Sequence, residues 1–159
     1  MNIEIRKACR EDCDELTRIA YAAKRYWGYP EEYIRLWRAD LTVTLDFLDR
    51  HPVYCAVAGS RVVGFYAVAG EGATRKLEHM WVDPEHIRTG VGTRLFLHAV
   101  DALRAAGVSV LRIASDPNAE GFYQQMGARH AGKVPSKPVG RELPLLLLEL
   151  ESRDANSAT

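Results

Sequence analysis

The stretch from Lys76 to Ala114 constrains the fold more than any other part of the chain. Lys76-Leu-Glu-His-Met-Trp-Val82 is a β-rich run that stops at Asp83-Pro84. Gly90-Val-Gly-Thr93 follows, and then Leu95, Phe96, Ala99, Val100 and Leu103 recur on one side at helical spacing. Gly107 stands where a helix-closing glycine belongs, and Val108 to Ala114 reads as another strand. Strand, helix, strand in that order is the crossover of a parallel pair, which commits the chain to a sheet carrying at least one packed helix.

Around that unit the hydrophobic period changes twice. Ile3 and Ile5 alternate with polar neighbours as a short strand does. From about Glu11, Leu16, Ile19, Ala20 and Ala23 keep the three- and four-residue steps of an amphipathic helix, which Gly28 and Pro30 interrupt. A second helix starts at Pro30 and carries Tyr33, Leu36 and Trp37 on one face. Val53–Val57 and Arg61–Val68 are strands joined at Gly59-Ser60, a hairpin signal. Asn118 to Met126 reads as a short helix, with late strands over about Ala128 to Val134 and Glu142 to Leu150. The order predicts a mixed-sheet α/β fold in one domain over residues 1–150, with residues 151–159 as a flexible polar tail.

Charge and composition narrow the partners. Twenty-one basic residues balance 21 acidic ones in 159, so no net charge attracts a nucleic-acid backbone. No apolar run approaches the roughly 20 residues that span a bilayer, and the N-terminus is charged where a signal peptide needs an apolar stretch. These features predict a cytoplasmic protein. Cys9, Cys13 and Cys55 are an odd set, suited to a reducing compartment, and they lack the second ligand pair of a structural zinc site. No metal is expected. Four consecutive leucines, Leu145 to Leu148, point either to a homodimer interface or to a strand buried on both faces.

The glycine-containing turn between Val82 and Leu95 is the segment suited to chemistry. Backbone N–H groups at a strand-to-helix turn converge, and the helix dipole favours negative charge there. Glycine lets the backbone approach closely. A phosphate or pyrophosphate ligand is the expectation. A Walker loop would need Lys after its glycine, where this chain has Thr93-Arg94. A Rossmann fingerprint would need a third glycine where Leu95 stands.

Pro84-Glu-His-Ile-Arg-Thr-Gly-Val-Gly-Thr93 resembles the acetyl-CoA loop of the GNAT-type N-acetyltransferases, written Gln/Arg-x-x-Gly-x-Gly/Ala. Asn118-Ala-Glu-Gly-Phe-Tyr-Gln-Gln-Met-Gly-Ala128 is similar to that family's Asn-x-x-x-x-Phe-Tyr-x-x-x-Gly-Phe/Ala segment. The family's Gln or Arg before the first glycine falls here on Ile87, with Arg88 beside it. The resemblance implies an acyl-CoA acyltransferase fold: a mixed, mostly antiparallel central sheet of about seven strands with helices on both faces. It implies acetyl-CoA as co-substrate, cradled by Arg88, Thr89, Gly90, Val91, Gly92 and Thr93. It also implies that Met80, Trp81 and Val82 pair with the pantetheine arm. The activity implied is direct acetyl transfer to a small-molecule or peptide amine. A non-catalytic acyl-CoA-binding module is the alternative.

Transfer to an amine requires a base, a polarised carbonyl and an acid for the leaving thiolate. A backbone N–H near Met80 to Val82 suits the carbonyl. Tyr123, with an unperturbed phenol pKa of about 10, stays protonated at neutral pH and is the candidate acid, as the resemblance also implies. Glu78 and His79 are the candidate bases, on opposite faces of one strand. Asn118 either caps the helix it precedes or touches the cofactor. Trp27 and Tyr29, flanking Gly28, are the acceptor-pocket candidates, and Tyr33 and Trp37 read as core.

Overall fold

The computed structural model describes residues 2–150, so the polar tail expected over 151–159 lies outside the described residues. Seven strands form one sheet: β1 (Ile3–Lys7), β2 (Val53–Ala58), β3 (Arg61–Ala69), β4 (Thr74–Val82), β5 (Val110–Ala114), β6 (Arg129–Pro135) and β7 (Glu142–Glu149). Their order across the sheet is β1-β2-β3-β4-β5-β7-β6. Pairing is antiparallel for β1 with β2, β2 with β3, β5 with β7 and β6 with β7. The β4–β5 pair is parallel, as the strand–helix–strand order of the sequence requires. Among the described residues there are six α-helices: α1 (Cys13–Tyr26), α2 (Glu31–Leu36), α3 (Arg38–Leu41), α4 (Leu45–Arg50), α5 (Val91–Ala105) and α6 (Glu120–Gln125).

Two compact units divide these elements. One holds the residues up to Val68 together with His79–Phe96; the other holds Ala69–Glu78 together with the residues from Leu97 onward. In the first, Leu16, Ile19 and Ala20 of α1 pack with Ile34, Trp37, Leu41, Val53, Cys55 and Phe65 in one buried cluster. Burial of such side chains at roughly 25 cal/mol per Å² is the main force holding the unit together. In the second, β7 runs between β5 and β6, and Leu146 and Leu148 are buried while Leu145 and Leu147 are half-buried. That internal place fits the buried-strand reading for Leu146 and Leu148, while the face of Leu145 and Leu147 stays partly open.

The structure differs from the sequence reading in two places. The helix after Pro30 starts at Glu31 and lasts six residues, and its buried side is Ile34 with Trp37 just beyond, while Leu36 is 49% exposed. Leu36 lies about 200° around the helix from Ile34, so the two cannot share a face. The segment from Arg38 to Arg50 forms two further short helices that no long apolar periodicity announces, α4 being capped by Thr44, whose hydroxyl accepts from Phe47 N–H. No helix among the described residues is long and apolar enough to cross a membrane.

Candidate functional site

The first unit contains the end of β4, the turn after it and the start of α5. Asp83 closes the strand: its N–H donates to Val63 O at 2.8 Å and its carbonyl accepts from His86 N–H at 2.8 Å. Its carboxylate accepts from Glu85 N–H at 3.1 Å, capping the single helical turn Pro84–His86. Arg18 on α1 donates to the other carboxylate oxygen at 2.8 Å. Burial alone would raise the Asp83 carboxyl, but the Arg18 bond and the Glu85 amide outweigh it and hold the group below the usual carboxylate range.

Beyond that turn the backbone adopts unusual conformations. Arg88 has φ of 65° and Gly90 of 88°, so a charged side chain occupies a left-handed position that favours glycine. Strain of this kind collects at ligand-binding loops. Thr89 is tied down by its hydroxyl, which donates to His86 O at 2.5 Å. Arg88, Thr89 and Gly90 are exposed. Helix α5 begins at Val91, and Arg94 N–H bonds back to Gly90 O at 3.0 Å. The amides of Val91, Gly92 and Thr93 precede that bond and belong to the turn a helix leaves unpaired. With the helix dipole and the Arg88 guanidinium, they suit a ligand bearing phosphate oxygens.

The strand leading into this loop is fixed from one side. His79 is buried, with its ring against Phe47 and Phe65. Its Nδ1 accepts from the Trp81 indole N–H at 2.9 Å, which leaves the neutral ring carrying its proton on Nε2. Met80 and Val82 alternate with these residues and are half-buried. The parallel register with β5 runs from Thr74–Val110 to Lys76–Arg112 and is not continued to Met80–Val82 among the described residues. A second feature of this unit escaped the sequence reading. The Lys24 ammonium is buried 4.9 Å from the Tyr29 ring centroid, 4.4 Å from that of Trp37 and 5.8 Å from that of Trp81. Its signal was a lysine in the apolar register of α1, four residues after Ala20. Tyr29 is half-buried against Trp37, whereas Trp27 is 43% exposed with its ring edge-on to Tyr26.

The second unit holds the other candidates. Glu78 is exposed and pairs with Lys76 at 3.5 Å. Tyr123 on α6 is buried beside Phe122, and burial, reinforced by Asp116, pushes its phenol well above the ordinary value. Its proton therefore stays in place at every physiological pH. Asp116, and not Asn118, caps this region: its carboxylate accepts from Asn118 N–H and from the Asn118 amide, both at 2.9 Å. Asn118 lies inside the turn Pro117–Ala119, two positions after its cap Asp116.

A family model described as acetyltransferase (GNAT) family matches residues 12–128, most of the chain and all of the loop just described. The chain belongs to that family. This GNAT protein is 29% identical over 150 residues, 93% of its own length and 98% of the relative's, to a peptidyl-lysine N-acetyltransferase, YjaB, of Salmonella typhimurium. Among solved structures it resembles the PaiA N-acetyltransferase of Thermoplasma acidophilum in complex with coenzyme A, with TM-score 0.76 and 21% identity over 94% of this chain and 99% of that one. It also resembles yncA, a putative acetyltransferase of Salmonella typhimurium with acetyl-CoA, with TM-score 0.69 and 20% identity over 96% of each chain. As a member of the GNAT family the chain is an acetyl-CoA-dependent N-acetyltransferase with a mixed seven-stranded acyltransferase fold. The phosphate-suited turn before α5 fits that co-substrate.

Proposed function

We propose that this GNAT enzyme acetylates the side-chain amine of a protein lysine, in the cytoplasm, with residues 1–150 acting as a single catalytic domain. The observation that carries the cofactor side is the turn Arg88–Thr93, where helix-start amides without an intrahelical partner and one exposed cation meet at the start of a 15-residue helix. The acceptor class is supported by the relative named for peptidyl-lysine acetylation, which matches over nearly both whole chains. The exposed rings of Tyr26 and Trp27 suit a cationic or apolar peptide segment. The three free thiols accord with a reducing compartment.

Acetyl-CoA, when bound, supplies the electrophilic thioester carbonyl and the thiolate leaving group. Arg88 and the amides of Thr89 to Thr93 hold its phosphates, and Asn118 adds a polar contact to the cofactor. Amides of Met80, Trp81 and Val82 hold the pantetheine arm and polarise the carbonyl. Glu78 removes a proton from the acceptor ammonium, directly or through a water. Of the two strand candidates it is exposed and carries an acceptor-only group, whereas His79 Nδ1 already accepts from Trp81. Tyr123 keeps its proton until thiolate forms and then donates it. Trp27 and Tyr29 border the acceptor.

Steady-state acetylation of a lysine-containing peptide, read as thiol release, tests these roles. Tyr123→Phe is expected to lower kcat about a hundredfold with coenzyme A affinity unchanged. Glu78→Gln is expected to remove the acidic limb of the pH–rate profile. Wild-type turnover in Tyr123→Phe overturns the acid assignment, and an acidic limb that persists in Glu78→Gln moves the base elsewhere.

A further inference from the structure

Arg18 has no place in the chemistry above, yet it reaches across 65 residues of sequence to the carboxylate at the root of the loop. Its guanidinium is shared. Nη2 lies 2.6 Å from Glu15 Oε1 on the same helix and 2.8 Å from Asp83 Oδ2. The partners differ in exposure: the Arg18 side chain is 46% exposed and that of Asp83 only 5%. A half-exposed cation sits over a buried carboxylate, and that carboxylate organises the turn from which the phosphate-binding amides are displayed. Asp83 fixes the turn at three points: its N–H to Val63, its carbonyl to His86 N–H and its carboxylate to Glu85 N–H. Arg18 adds the tie from α1.

We infer that Arg18 is a positioning residue for cofactor binding: through Asp83 it sets the aim of the loop Arg88–Thr93 without touching the cofactor. The inference rests on the reading of that loop as the acetyl-CoA site. An ion pair that only stabilised α1 would leave cofactor affinity alone. One that holds the loop acts on the binding of acetyl-CoA and spares the transfer step, because Glu78 and Tyr123 are not among its contacts. Removing the guanidinium leaves the Asp83 carboxylate buried and uncompensated, so burial raises its proton affinity. Once protonated, the carboxyl is a poorer acceptor for Glu85 N–H and the turn loosens. The charged and titratable groups facing Asp83 are Arg18 and Glu15 from α1 and Glu85 and His86 from the turn itself. Every variant in the test keeps His86 and Glu85, so the difference between profiles isolates the loss of the Arg18–Asp83 pair.

The test compares Arg18→Met, Arg18→Lys and Glu15→Gln with wild type, reading KM for acetyl-CoA and kcat between pH 5 and 8, with thermal melts to confirm folding. Arg18→Met is expected to raise KM for acetyl-CoA about tenfold at pH 7 and further toward pH 5, with kcat within about twofold. Arg18→Lys, which keeps the charge, is expected to recover most of the affinity and the flat pH dependence. Glu15→Gln, which removes the other partner of Arg18, is expected to leave KM unchanged. Gly92→Glu places a carboxylate among the proposed phosphate ligands and is expected to abolish coenzyme A binding by calorimetry. If it binds normally, the loop is not the site and the inference falls with it. If Gly92→Glu fails to bind and folded Arg18→Met keeps wild-type KM at every pH, the loop reading stands and the positioning role is overturned. An equal rise of KM in Glu15→Gln overturns it as well, by assigning the effect to the helix.

Discussion

At the scale of single residues, two buried carboxylates of the first unit, Asp12 and Asp83, each hold an arginine. Asp12 is an example away from the site. It accepts two bonds from Arg6, at 2.8 and 3.0 Å, and one from Cys9 N–H at 2.8 Å, closing the start of α1 onto β1. The Arg6 bonds, aided by the Cys9 amide and opposed by burial, lower its pKa to about 2. An unfolded aspartate titrates near about 3.9. The depressed carboxyl therefore contributes stability that is fully present above about pH 5 and is lost as pH falls through about 4 toward 2. Because Arg6 is partly exposed and screened, the contribution is about 1–2 kcal/mol and not the full shift. Asp12→Asn is expected to lose that much in urea denaturation at pH 7 and to converge on wild type only as pH falls to about 2. An equal deficit at both pH values would assign the loss to packing. Neither Asp12–Arg6 nor Asp83–Arg18 was legible in the sequence. Which charges meet depends on the path of the chain between them, and composition records only that the two signs balance. The left-handed Arg88 was hidden too, because arginine there announces nothing that a glycine would have.

At the scale of elements, more was legible. The five residues singled out on α5, from Leu95 to Leu103, are all buried, and the two hairpin strands end within a residue or so of where their composition stops. Long periodic segments carry redundant signal, whereas α3 and α4, of four and six residues, are shorter than two helical turns and carry almost none. Packing between elements left one mark that composition does not show. Gly64 on β3 has no room for a side chain: a Cβ there would lie 2.9 Å from Trp81 O, 3.1 Å from Leu95 Cδ1 and 3.2 Å from Val91 Cγ1. The absence of a side chain lets β3, the end of β4 and the first turns of α5 close together, and so sets where the loop departs. Gly64→Ala must move the Trp81 carbonyl and is expected to cost about 1–3 kcal/mol in chemical denaturation and to raise KM for acetyl-CoA. Gly59→Ala, at a left-handed turn with open space around it, is the comparison. It is expected to cost about 1 kcal/mol and leave KM unchanged, since only backbone strain is added and no neighbouring atom is displaced. Equal KM values for the two variants would show that the tight contact at Gly64 has no bearing on the cofactor.

At the scale of the whole molecule, equal numbers of basic and acidic residues leave no global field to gather an anionic co-substrate. On the proposed reading, recognition comes from local groups: amides before Arg94, the Arg88 guanidinium, and the segment Met80–Val82 beyond the β4–β5 register. The unfolded chain has none of these in place. A ligand that binds only the folded state stabilises it by RT ln(1 + [L]/Kd), about 2.7 kcal/mol at a hundredfold excess over Kd. For a chain of this length that corresponds to a rise in Tm of about 5–10 °C. Acetyl-CoA and coenzyme A are both expected to produce it. ATP offers phosphates to the loop but no pantetheine arm to the strand, and is expected to shift Tm by no more than about 1–2 °C at the same concentration. Equal shifts with all three would mean that the loop binds phosphate and the strand contributes nothing. A shift with the coenzymes that survives Gly92→Glu would place their binding away from the start of α5.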